Sequence, residues 1–235
     1  MQHKPIGIIG AMKIEIEGLR AAMTDVCEET LSGVTFTRGK LCGRDVVCAV
    51  CGVGKVFAAI AAEAMILRYG VCCLLNTGVA GGLAPGLCVG DVVLADAVVQ
   101  HDMDTSPLGD PVGLLSGLNL VRLEADKHLT ATLERAARQC GLSPVIGTVA
   151  TGDQFIASDA QKSRIKAQFG AAACEMEGGS IGHVATVNGV PFAVLRAISD
   201  GGDGMEFSEF VTLAASRSVA VTLEFVKLLE GDSLQ

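Results

Sequence analysis

The sequence predicts an α/β fold, a mixed and twisted central β-sheet flanked by helices, and three observations carry that prediction. Apolar runs at residues 5–10, 71–76, 145–151, 171–176 and 191–199 have the length of buried strands, and the stretches between them mostly show helical spacing. Two further extended runs, 34–40 and 45–51, meet through Cys42, Gly43 and Arg44 as an antiparallel hairpin, which makes the sheet mixed rather than all parallel. Of the 235 residues 50% are apolar and 19% charged, and no Ser/Pro/Gln-rich stretch or charge run offers a linker. Residues 1–235 therefore read as one domain with a sizeable core.

In chain order, the amino terminus enters the first strand directly at IGIIG, and the hairpin follows. The alanine-rich stretch Lys55–Tyr69 reads as a helix that stops at Gly70, because glycine takes the left-handed conformation that ends helices without penalty. Strands 71–76 and 91–100 come next, then a helix over 125–140 that has one polar face and ends before Gly141. After strand 145–151, Ser158 and Gln161 have the spacing of a capping box for a helix running to Phe169. Strands 171–176 and 191–199 enclose a crossover helix, and 208–229 is a long closing helix. There is no internal repeat.

Composition narrows the function classes. A formal net charge of −8 with scattered lysines and arginines leaves no basic stripe, so nucleic acid is not an expected partner. No run reaches the ~18 uninterrupted apolar residues of a membrane helix, and the expected location is cytoplasmic. Nine cysteines, an odd number spread through apolar runs, fit reduced core thiols better than disulfides. Cys48 and Cys51 form a C-x-x-C pattern, but residues three apart on a strand face opposite sides of the sheet. Gly52, Val53, Gly54 and Lys55 lack the Walker spacing and read as a strand-to-helix turn. His101, Asp102 and Asp104 form the most metal-like cluster, yet no second histidine is near, and loop hydrogen bonding is the better reading.

Glu177 follows the run 171–176, and Asp200 follows the run 191–199. If both runs are parallel strands joined by a crossover helix, their carboxyl ends lie on one edge of the sheet, where open α/β sheets bind ligands. Residues 12–15, 77–82 and 152–156 also each follow a strand-like run, so the same edge should collect them. Acids gathered there point to acid/base chemistry. EMEGGSIGHVA followed by VPFAVLRAISD, together with GIIGAMKIEIE, CGVGKVFAAIAAE, NTGVAGGLAPGLCVGDVVLAD and TGDQFIAS, resembles the 5'-methylthioadenosine/S-adenosylhomocysteine nucleosidases, a branch of the nucleoside phosphorylase superfamily. The matching blocks are ordered and cover nearly the whole chain.

The resemblance implies a nucleoside phosphorylase-like fold and hydrolysis of the N-glycosidic bond of 5'-methylthioadenosine and S-adenosylhomocysteine, releasing adenine and the 5'-thioribose product, with no cofactor and no metal. It gives Asp200 the role of general acid toward purine N7 and Glu15 that of polarising the attacking water, with Arg196 helping to position the water and the acids. Glu177 would hold the ribose hydroxyls, since an ionised carboxylate accepts from two adjacent O–H donors. Met176 would lie against the sugar, Phe155 would stack on adenine, and the Ile156 backbone would read the base edge. Met12, Val53 and Phe207 would wall the 5' subsite, and Val79, Ala80, Gly81, Glu175 and Ser199 complete the substrate-binding set. Gly78, Ala80, Gly81 and Gly82 are small enough for the backbone to approach a ligand closely.

Val79 departs from the serine that family members often carry, so a hydroxyl contact to the site is missing. The resemblance also implies a homodimer whose partner subunit closes the 5' subsite with residues between Thr105 and Leu118. For most of these positions a structural reading stands beside the functional one. Glu15 suits the first turn of a helix, Asp200 an Asx turn in SDGGDG, Arg196 a strand-end ion pair, and Phe155 and Met176 a core. Alternatives from the same superfamily are a phosphorylase and an aminodeoxyfutalosine hydrolase, and a nucleoside-binding module without activity is a further one.

Overall fold

The computed structural model describes residues 4–200 and 204–229, with side chains from residue 210 onward in the second stretch. The elements are β1 (Ile6–Gly10), α1 (Lys13–Ala21), β2 (Thr24–Leu31), β3 (Val34–Leu41), β4 (Arg44–Val50), α2 (Lys55–Tyr69), β5 (Cys73–Gly82) and β6 (Val92–Gln100). A 3₁₀ turn at Ser106–Leu108 precedes β7 (Arg122–Glu124), α3 (Lys127–Gln139), β8 (Val145–Thr151), α4 (Asp159–Phe169), β9 (Ala173–Glu175), α5 (Gly178–Asn188), β10 (Phe192–Asp200) and α6 (Gly204–Leu228).

Among the described residues ten strands make one mixed sheet with two differently built halves. In the open half, β1 lies parallel between β4 and β5, and β4, β3 and β2 continue as an antiparallel meander. In the other half β5 pairs with β10, β10 with β6, β6 with β8, β8 with β9, and β9 returns to the end of β5. These five strands therefore close into a ring. Closure depends on the length of β5, whose first residues pair with β1 while Gly81 and Gly82 pair with Cys174 and Ala173 of β9.

The alternation of side chains across the strands produces two apolar layers. Ile9, Val47, Leu74 and Val194 pack with Ala58, Ala61, Ala62 and Met65 of α2 and Ile181 and Ala185 of α5. Ile8, Val46, Leu75 and Leu195 face the other way, toward Ile16 and Leu19 of α1, Leu129 and Leu133 of α3, and Val221 and Phe225 of α6. Each fully buried Val, Leu, Ile, Phe or Met among them contributes about 1.5–3 kcal/mol. Cys48 belongs to the second layer and Cys51 to the first, so the C-x-x-C thiols do face opposite sides, and burial pushes each up to about 12.

Several expectations are corrected. β2 was not expected, because TDVCEETL is an exposed edge strand without the apolar alternation that marks a strand; only Ser32 and Gly33, both at positive φ, mark its turn into β3. The segment expected to follow the strand 71–76 is the second half of β5 itself. β9 is only three residues long, and it is neither adjacent nor parallel to β10, since the two run in opposite senses around the ring. The acids thus meet across a closed ring rather than along one edge of parallel strands. α6 starts at Gly204, four residues before the expected 208.

Candidate active site

Where β1 gives way to α1, Met12 takes the N-cap position and Glu15 the third helical position. From there the Glu15 carboxylate reaches back over the helix start, its Oε2 accepting from Ala11 N and Met12 N, both at 2.8 Å, while Oε1 accepts from Val79 N at 3.0 Å. Glu15 thus stands in the first turn of a helix, and the same carboxyl group lines the cavity described below. Burial pushes its pKa up, and Arg196 and the three amides only partly offset this, so the carboxyl titrates above its ordinary value. A side chain at position 78 would collide with Glu15 and with the Arg196 guanidinium, so Gly78 makes room for these two groups and not, as expected, for a ligand.

Arg196 lies on β10, fully buried. Its Nη2 is paired with Glu175 and donates to Asn76 Oδ1, and Glu177 Oε2 stands 3.7 Å away. Glu175 ends β9, where its Oε2 accepts from Glu177 N at 3.0 Å and Gly178 N at 2.7 Å at the start of α5, a helix end that favours negative charge. Thr151, the last residue of β8, donates to the other Glu175 oxygen and accepts from Gly179 N. Glu177 Oε1 accepts from Gly54 N at 2.9 Å. Burial, then the Glu175 charge, raises the Glu177 carboxyl to about 7 despite Arg196.

Ser199 and Asp200 stand together because the pairing of β10 with β5 slips between Ile198 and Asp200. In a regular strand consecutive side chains would point to opposite faces, whereas this bulge lets both line the same cavity. The Ser199 hydroxyl donates to Asp200 Oδ2 at 2.7 Å.

These groups form the floor of a cavity of about 370 Å³, within the ordinary range for small-ligand sites. Met12, Glu15, Val53, Val79, Ala80, Gly81, Phe155, Ile156, Glu175, Met176, Glu177, Ser199 and Asp200, all expected at the site, line it. Arg196 does not reach the surface of the cavity but lies behind the acids. Phe207 falls in the first turns of α6, and its side chain is outside the described residues, as is all of Asp203.

Ala11, Gln154 and Cys174 also line the cavity and were not singled out, although all three lie in or beside the matched sequence blocks. Nor were Asn76 and Thr151, which line nothing but anchor Arg196 and Glu175; a lone Asn or Thr in an apolar strand gives no chemical signal. Cys174 donates to Gly81 O at 3.8 Å, and burial, helped by the Asp200 and Glu175 charges, pushes its thiol up to about 12.

The cavity therefore gathers four carboxyl groups over one guanidinium. With so little positive charge nearby, the acids cannot all be ionised cheaply: Glu15 is raised by burial, and Glu177, raised to about 7, makes this a place that holds a proton near neutrality. Asp102 of the metal-like cluster is engaged by Lys55 and by Asp153 N. Among the described residues no group of three or more His, Cys, Asp or Glu side chains could hold a metal ion, and no helix is long and apolar enough to cross a membrane.

The family model of the phosphorylase superfamily matches residues 5–227. The chain is 39% identical over 229 residues to the 5'-methylthioadenosine/S-adenosylhomocysteine nucleosidase of Actinobacillus succinogenes, an alignment covering 96% of this chain and 99% of that one. The crystal structure of the same-named enzyme from Neisseria meningitidis, in complex with methylthio-immucillin-A, superposes with a TM-score of 0.93 at 35% identity, covering 96% of this chain and 100% of the other. Futalosine hydrolase of Helicobacter pylori superposes with a TM-score of 0.92 at 34% identity, over 96% of this chain and 98% of that one. The mixed α/β sheet, the cavity over the closed ring and these likenesses agree, and the chain belongs to the phosphorylase superfamily, in its family of 5'-methylthioadenosine/S-adenosylhomocysteine nucleosidases.

Proposed function

We propose that this protein hydrolyses the N-glycosidic bond of 5'-methylthioadenosine and S-adenosylhomocysteine, releasing adenine and the corresponding thioribose. The observation that carries the reading is the convergence of buried Glu15, Glu177 and Asp200 on one cavity whose other lining residues are mostly apolar. Breaking the bond needs a proton on the leaving base, a stabilised oxocarbenium-like sugar and a water on the opposite face. Asp200, with Ser199 donating to one of its oxygens, presents its carboxyl to purine N7 as the acid. Glu15 takes the proton of the attacking water, a task helped by a carboxyl whose pKa is already raised.

Glu177 accepts from the ribose hydroxyls and Met176 lies under the sugar. Phe155 stacks on adenine, and the Ile156 backbone reads its edge. Arg196 acts through others in this scheme, neutralising Glu175 and biasing Glu15 and Glu177. Met12 and Val53 form the 5' wall.

Half-exposed Val53 and Phe155 leave the rim open in the single chain, and α2 and α5, which pack side by side, present Val56, Phe57, Leu67 and Val187 to solvent. Such a face supports a homodimer in which residues 105–118 of the partner subunit close the 5' subsite. The nine cysteines are all free thiols, in keeping with a reducing cytoplasm.

Adenine release from 5'-methylthioadenosine, assayed with and without phosphate, tests the reading. Phosphate-independent release with 5-methylthioribose as the sugar product is expected, because Glu15 and its neighbouring acids repel an anion and favour water. Methylthioribose 1-phosphate as the main product would make the protein a phosphorylase, and binding without turnover would make it a sensor. The likeness to a futalosine hydrolase supports an alternative substrate of related type, for which aminodeoxyfutalosine is the test compound. Comparing kcat/KM for both thioether nucleosides, adenosine, methylthioinosine and aminodeoxyfutalosine decides between them, with methylthioadenosine expected first.

A further inference from the structure

The strand-to-helix turn at residues 52–55 and the metal-like cluster at residues 101–104, read from sequence as loop hydrogen bonding, meet in one three-cornered network beside the cavity. Lys55 Nζ donates to Asp102 Oδ1 at 2.7 Å, Asp153 N donates to Asp102 Oδ2 at 2.8 Å, and Lys55 N donates to Asp153 Oδ1 at 2.8 Å. The three corners come from the end of β6, the loop after β8 and the start of α2. None of the three residues lines the cavity. Their neighbours do: Val53 precedes the α2 corner, and Gln154, Phe155 and Ile156 follow Asp153. Gly54, next to Lys55, holds Glu177 through its amide. The His101 ring fills the space over Gly152 where a Cβ would stand, bracing the start of the same loop from behind.

The Lys55 and Asp102 side chains are 20% and 19% exposed, so the pair is partly shielded from the screening that makes surface ion pairs weak. Burial alone would raise the Asp102 carboxyl, but Lys55 and the Asp153 amide outweigh it, and the group stays below its ordinary range and ionised near neutrality. Among the described hydrogen bonds, removing Asp102 would leave Asp153 Oδ1 as the loop's tie to the start of α2, a hinge in place of a closed triangle.

We propose that Asp102 is a positioning residue for the reaction, which, by binding Lys55 and the Asp153 amide at once, sets the base-side wall at residues 153–156 in register with the ribose-side acid Glu177. The proposal rests on the function given above for what the two walls hold, while the network itself stands independently of it. Loosening the register should weaken binding of the whole nucleoside and leave the bond-breaking groups, which are anchored elsewhere, as they were.

The test compares Asp102→Ala, Asp102→Asn and wild type by KM and kcat for methylthioadenosine, by hydrogen exchange of residues 152–158 and by thermal melting. For Asp102→Ala, KM should rise about tenfold with kcat within about twofold, as expected for loss of a charge-assisted hydrogen bond. Exchange in the loop should quicken while the melting temperature moves little. Asp102→Asn, which keeps an acceptor for the Asp153 amide but loses the charge facing Lys55, should fall between the two.

Unchanged KM and unchanged loop exchange in a folded Asp102→Ala protein would overturn the proposal, as would a fall in kcat at constant KM. If the alanine variant does not fold, the asparagine variant is judged by the same measurements. Should wild type release no adenine, the proposed function fails, and loop exchange alone then decides whether Asp102 holds the wall.

Discussion

On the floor of the cavity Glu15, Glu175, Glu177 and Asp200 are 1%, 8%, 4% and 2% exposed, whereas Val53 and Phe155 on its rim are 53% and 49% exposed. The floor is made by strands of the closed ring and by helix starts; backbone amides fix Glu15, Glu175 and Glu177, and the Ser199 hydroxyl donates to Asp200. The rim is made by a turn and a loop. Floor groups are over-determined and suited to chemistry, where small displacements cost rate; rim groups are suited to holding a substrate whose outer end varies. Floor variants should therefore alter kcat or stability, and rim variants KM.

The largest effect is expected on the floor. Asp200→Asn should lower kcat by about 10²- to 10⁴-fold with the fold retained, because an amide cannot deliver an acidic proton. Glu15→Gln should lose kcat similarly while nucleoside binding, measured by calorimetry, survives. The two variants should differ in stability. Both Glu15 oxygens accept from backbone N–H groups, so a glutamine must turn its NH₂ toward one of these donors, at about 1–3 kcal/mol. Near-wild-type turnover in Asp200→Asn removes it from the acid role, and loss of binding with intact chemistry in Glu15→Gln reverses that assignment.

Next comes the ion pair beneath the floor. Arg196→Met strands Glu175 in a buried place, and breaking such a pair costs about 3–5 kcal/mol, which corresponds to a fall in Tm of roughly 6–20 °C for a chain of this size. A melting temperature unchanged within error would mean that the floor does not depend on its guanidinium.

A pH series sharpens the same point at Glu177. Its folded pKa is raised to about 7 by burial and by neighbouring acids, so between the ordinary carboxylate value and that point the folded chain holds more protons than the unfolded one. Stability from this group is thus lost as pH rises through that window. Glu177→Gln, which does not titrate, should gain in Tm relative to wild type between about pH 4.5 and 7. A difference that stays flat with pH would show that Glu177 is not held protonated.

The sequence made the floor legible because acids after apolar runs are conspicuous, and because the matched blocks carried the same residues. Its geometry was not legible. Glu177 and Asp200 were expected to share an edge of parallel strands, but ring closure depends on long-range pairing of the three-residue β9 with Gly81 and Gly82, and such a strand leaves no periodic trace. The bulge that turns Ser199 and Asp200 to one side is equally silent in sequence. Gly78 stands out in the sequence, but its reason, the passage of Glu15 and Arg196 over the backbone, is a tertiary contact between residues far apart in the chain. Edge strand β2 was missed because both of its faces are largely exposed.

On the rim, Phe155→Ala should raise KM for methylthioadenosine by about two- to twelvefold, the range of a lost aromatic stack, with kcat nearly constant. A loss confined to kcat would move Phe155 from the rim to the floor in function.

The smallest effect is expected at Val79, which belongs to both regions. Its amide donates to Glu15 Oε1, so its backbone serves the floor whatever the side chain, while its methyl groups line the cavity and pack in the layer that includes Val92 and Leu195. Val79→Ser supplies the hydroxyl that family relatives often carry but removes buried apolar volume. Stability should fall by about 1–2 kcal/mol, in the range for trimming a buried branched side chain. Because three backbone amides already fix Glu15, kcat should change by no more than about threefold. A tenfold gain in kcat would mean instead that the backbone alone leaves the water poorly placed, and that this chain works without a contact its floor still has room for.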